Sequence, residues 1–136
     1  MTLSSLSSRL MLAVALALGL ALPAAGAPTA WDQAKVTALA QQLRTAATAF
    51  QAAVLREPVA GPRLQQNSRA VSDQSDALAT HLAKGDGKDK TTGLYRGLKE
   101  VADDTVELQS QAPFGELTNQ TWTKVADLIK QLGAYY

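Results

Sequence analysis

The chain has 136 residues, 13 of them basic and 12 acidic, with one histidine and no cysteine. The near balance of charge argues against a nucleic-acid partner, which calls for a basic surface, and against an anionic membrane face. Without cysteine no disulfide can hold the fold, so stability must come from a packed core.

The first element is an address. Leu10–Leu22 reads LMLAVALALGLAL, preceded by the single charge of Arg9 and followed by the small-residue exit Pro23–Ala27. A basic start, an apolar run and a small-residue exit describe a secretory signal peptide. The run falls short of the roughly 18 consecutive apolar residues that a membrane span needs. Ala25-Gly26-Ala27 has the form of a cleavage site, although Pro28 directly after it leaves the exact bond open. Residues 1–27 are therefore expected to be removed, leaving a domain over 28–136. An uncleaved anchor is the alternative, and membrane association is expected only in that case. Arg9 leaves with the signal, so the remainder carries 12 acidic and equally many basic residues. The signal style and the alanine- and glutamine-rich composition fit a bacterial exported protein, hence a periplasmic or secreted location.

Four helical segments follow. The first is predicted over 30–56, with Thr29 as its cap. Val36, Leu43 and Phe50 recur every seven residues, with Leu39, Ala40, Ala46, Ala47, Ala53 and Val54 between them, a stripe at helical spacing. Glu57-Pro58-Val59-Ala60-Gly61-Pro62 breaks the pattern, and Pro62 suits the first position of the next helix. The second helix is predicted over 63–84 along Leu64, Val71 and Leu78. Its apolar line is narrow, and Asn67, Gln74 and His81 form a polar row beside it. Gly85 fits a left-handed helix end, within the loop Gly85–Thr91. The third helix is predicted over 92–111, capped by Thr91 or Thr92, with Leu94, Leu98, Val101 and Leu108 inward and Tyr95 and Val106 widening the stripe. Ala112-Pro113-Phe114-Gly115 ends it. The fourth is predicted over 117–133, along Trp122, Val125, Ile129, Leu132 and Tyr136. Short connections favour antiparallel neighbours, so the expected fold is all-α, an up-down-up-down four-helix bundle.

Chemistry is mostly excluded. One histidine and no cysteine are too few for a transition-metal site. Leu78 and Lys84 stand three residues from His81, so the Glu-x-x-His pairs of di-iron bundles are absent. Asp76 lies about 140° around the helix from His81, which rules out a same-face pair. Glu100, Asp103, Asp104 and Glu107 read as a solvated acidic face. No glycine-rich phosphate loop is present.

Leu94-Tyr95-Arg96-Gly97-Leu98 and Asp103-Asp104 resemble the third helix of cytochrome b562-type bundles, and the length and export signal resemble that family and cytochrome c′. The resemblance implies the same architecture without haem. There is no CxxCH, both methionines (Met1 and Met11) lie in the signal, and the last helix ends Ala134-Tyr135-Tyr136 without histidine.

The remaining expectation is a non-enzymatic envelope protein acting by protein–protein interaction with an unknown partner or a second copy. The fourth helix's stripe with Tyr135 and Tyr136 is the candidate surface. The alternative is a small-ligand carrier or sensor that holds an apolar or haem-like molecule between helices. Its candidate residues are Asn67, Gln74, His81, Phe50 and Trp122. The polar row either forms an inward seam or points to water from the rim. No catalytic residue, metal or cofactor is assigned.

Overall fold

The computed structural model describes residues 27–136 apart from residue 59, and the expected signal peptide lies outside the described residues. Four helices make up the described chain: α1 (Gln33–Arg56), α2 (Pro62–Ala83), α3 (Lys88–Gln111) and α4 (Glu116–Gly133). There is no strand among the described residues. None of these helices is long and apolar enough to cross a membrane.

Local chemistry sets most of the boundaries. Asp32 caps α1, its carboxylate accepting from the Lys35 N–H at 3.1 Å, which satisfies one of the free donors at a helix start. Thr29, expected as the cap, does something else. Its N–H donates to the Ala134 carbonyl at 2.6 Å and ties the N-terminal segment to the end of α4. α1 stops at Glu57 because the residue before a proline is pushed into extended backbone. α2 opens with Pro62 at its first turn, after Gly61. It closes in a Schellman turn. Gly85, at φ +93°, lets its own N–H reach the Leu82 carbonyl and that of Asp86 reach the His81 carbonyl. α3 begins at Lys88, not at Thr92. Thr91 is a buried helical residue whose hydroxyl bonds the Gly87 carbonyl and the Tyr136 hydroxyl, so it does not cap. Asp89 supplies the negative charge that the first turn favours.

α1 is the hub. It packs closely on α2 and on α4, and α2 packs closely on α3. In each pair opposite ends meet. The Gln33 side chain at the start of α1 donates to the Leu82 and Asp86 carbonyls at the end of α2. Arg63 and Asn67 early in α2 bond Asp104 late in α3. Glu57 after α1 accepts from the Gly115 N–H before α4. Val36, Leu43, Phe50, Val71, Leu78, Leu98, Val125 and Leu132 are fully enclosed. Ala40 and Ala47 of α1 and Ser68 and Ser75 of α2 are also buried, and such small side chains allow close packing of the two backbones. α3 is the least anchored helix. Only Thr91, Leu98, Ala102 and Thr105 are buried on it, and Leu94, Val101 and Leu108 are partly exposed.

Candidate binding site

The polar row of α2 divides three ways. Asn67 is half-buried, and its amide donates to Asp104 Oδ2 at 2.7 Å and to Thr105 Oγ1 at 3.3 Å. The Asn67 bond to Asp104, and then that of Arg63, hold the Asp104 carboxyl below its ordinary value. Gln74 lies over Gly97 of α3, and its Oε1 is buried with no hydrogen-bond partner. His81 is exposed. Its Nδ1 sits 2.8 Å from Asp86 Oδ2, on the loop after α2. That hydrogen bond is the main reason the Asp86 carboxyl lies below its ordinary value. The histidine's acidic partner is thus Asp86, five residues downstream and brought back by the Gly85 turn.

Phe50 and Trp122 meet in the interior, ring centroids 5.2 Å apart and tilted by 45°, and both are buried. His81 does not join them. At the end where Thr29 meets Ala134, Tyr136 stacks on Tyr95 at 4.5 Å and packs edge-on with the Trp31 ring at 5.2 Å. Burial pushes both the Tyr95 and the Tyr136 hydroxyl up, the Thr91 bond partly offsetting this for Tyr136. Tyr135 is partly buried against the same core. Tyr135 and Tyr136, the residues expected to form a surface, are each partly exposed.

Two concavities were not foreseen. The first is the seam between α3 and α4, the one neighbouring pair that does not pack closely. It is a trough of about 220 Å³ floored by Ala102, Trp122, Ala126 and Ile129. Ala102 and Ala126 are too small to fill the space between the two helices. At one end Tyr95 lies against Gly133, where a Cβ would stand only 2.6 Å from its hydroxyl. Beyond its other end, past Val106, Gln109 donates to Asn119. Val106 stands on the lip, 50% exposed. Lys99 and Asp103 pair along the α3 wall at 3.3 Å, and Lys130 lies on the α4 wall. The signal that could have found this trough was an alanine on the inner face of each of two helices. The second concavity, about 380 Å³, lies where the α1–α2 and α3–α4 connections meet, between Leu64, Leu108 and Phe114.

No cluster of three or more histidine or carboxylate side chains able to hold a metal ion occurs among the described residues. The chain matches no protein-family model, no curated protein and no solved structure.

Proposed function

We propose that this chain is an exported up-down-up-down four-helix bundle, freed in the periplasm or outside the cell by cleavage after residues 1–27. In this reading it is not an enzyme and acts by docking a partner protein. The observation that carries the reading is the open α3–α4 seam. Three helix pairs are in close contact, and the fourth leaves an apolar trough with a half-exposed valine on its lip. From Tyr95 to Val106 on α3 it runs about three helical turns, roughly 16 Å. That length and its apolar floor suit the apolar face of a partner's amphipathic helix. The pairing of Phe50 with Trp122 in the interior favours a surface site over a ligand held between the helices.

The test is site-specific crosslinking in an exporting host, with a photoreactive side chain at position 106 and, as a control, at Gln42, an exposed position of α1. A discrete adduct from position 106, absent from position 42 and lost in the Ala126→Glu variant, is the expected result. An adduct with a second copy of the chain would redirect the reading to self-association. Equal labelling from both positions would overturn it. N-terminal sequencing of the exported protein checks the cleavage.

A further inference from the structure

We infer that the cavity where the two connections meet is a second binding site, selective for a small uncharged aromatic molecule. Its volume of about 380 Å³ lies within the range of small-molecule sites, roughly 300–1,000 Å³. Leu64, Leu108, Pro113 and Phe114 form its apolar walls. The ring of Phe114 is partly exposed there, so an aromatic guest can meet it edge-on or offset.

The charged groups on the rim decide the ligand's charge. Arg63 lines the cavity, and its guanidinium grips Asp104 with two nitrogens, Nε reaching Oδ2 at 3.2 Å. Asn67 donates to the same carboxylate. Glu57 also lines the cavity, and its carboxylate accepts from the Gly115 N–H at the start of α4, where the helix dipole favours a negative charge. Each rim charge is therefore already compensated inside the protein. An anion would have to draw Arg63 away from Asp104, and a cation would have to draw Glu57 away from α4. A charged guest that did neither would give up part of its hydration at the half-exposed rim and gain no new partner there. An uncharged guest disturbs none of these bonds.

The probe is indole, compared with tryptamine and indole-3-propionate, which add an ammonium and a carboxylate to the same ring. Binding is followed by calorimetry and by amide chemical shifts of the intact protein. Indole is expected to shift the amides around Leu64, Leu108 and Phe114, with both charged analogues weaker by about tenfold or more. Ala112→Trp, at an exposed position on the cavity wall, should fill the space and abolish binding while thermal unfolding stays cooperative. Phe114→Leu, which keeps the wall apolar and removes the ring, should weaken it. Binding of either charged analogue as tight as that of indole would overturn the inference. So would shifts centred elsewhere, no binding of indole, or an affinity untouched by Ala112→Trp.

Discussion

Asn67 and Gln74 stand seven residues apart on one face of α2, yet they meet opposite surroundings. Asn67 finds a carboxylate and a hydroxyl on α3. Gln74 finds Gly97, and its carbonyl oxygen is enclosed without a donor. A buried acceptor left unpaired costs about 1–3 kcal/mol, whereas an apolar side chain of the same shape removes that penalty. Gln74→Met preserves the length and flexibility of the side chain and discards the amide. It should therefore stabilise the protein by about 1 kcal/mol in urea denaturation. A loss of stability would mean that the Gln74 amide has a compensating role within the α2–α3 interface. Neither outcome is expected from its neighbour on the row, because His81 is exposed and bonded to Asp86 outside the core.

Between helices, one glycine leaves room for Tyr95 of α3 against the end of α4. Gly133, in the last turn of α4, faces the hydroxyl end of Tyr95. Tyr95 is itself held flat against Tyr136, the two rings within 4° of parallel. In an open helix, replacing glycine by alanine gains about 1 kcal/mol. Here the added methyl would push Tyr95 off its stack, so Gly133→Ala is expected to lower stability by about 1 kcal/mol or more. A rise in the thermal midpoint would show that the tyrosines yield freely. The same scale explains what could be foreseen. The heptads Val36–Leu43–Phe50 and Leu64–Val71–Leu78 are buried as their spacing requires, because α1 and α2 each have close neighbours on two sides. The stripe of α3 has the same spacing, yet Leu94, Val101 and Leu108 remain partly exposed, because α3 stands off from α4. Periodicity reports which residues share a face and is silent on how near the next helix comes. That is why the trough over Ala102 and Ala126, and the cavity beside Phe114, were not legible from residue order. The caps misled as well. Thr29 and Thr91 have the chemistry of caps, but α1 starts three residues later than expected, with Asp32 as its cap, and the Thr91 hydroxyl lies inside α3 and bonds Tyr136.

Across the whole molecule, two carboxylates fasten the lightly anchored α3 to α2, one near each end. Asp86, bonded to His81 and 3.9 Å from Lys90, holds the loop before α3. Asp104 holds its second half through Arg63 and Asn67. Both have carboxyls below the ordinary value of 3.8, for Asp86 chiefly through His81 and for Asp104 chiefly through Asn67 and then Arg63. The sign of the pH effect follows. Between the native value and the higher unfolded one, the unfolded chain binds more protons, so stability rises with pH across that window. The contribution is complete above the unfolded carboxylate value of about 3.9 and is lost as pH falls through the native value. Asp104→Asn should therefore lower stability at pH 7 and lose less of what remains on acidification to about pH 2. Urea denaturation of both proteins across that range measures the two slopes. Parallel curves would mean that the Asp104 linkage contributes nothing to acid sensitivity. Converging curves would mean that the α2–α3 seam is fastened in part by ionised carboxylate. Amide exchange should then rise on α3 before it rises on α1, because α1 is enclosed by two close neighbours and is held mainly by its buried apolar face.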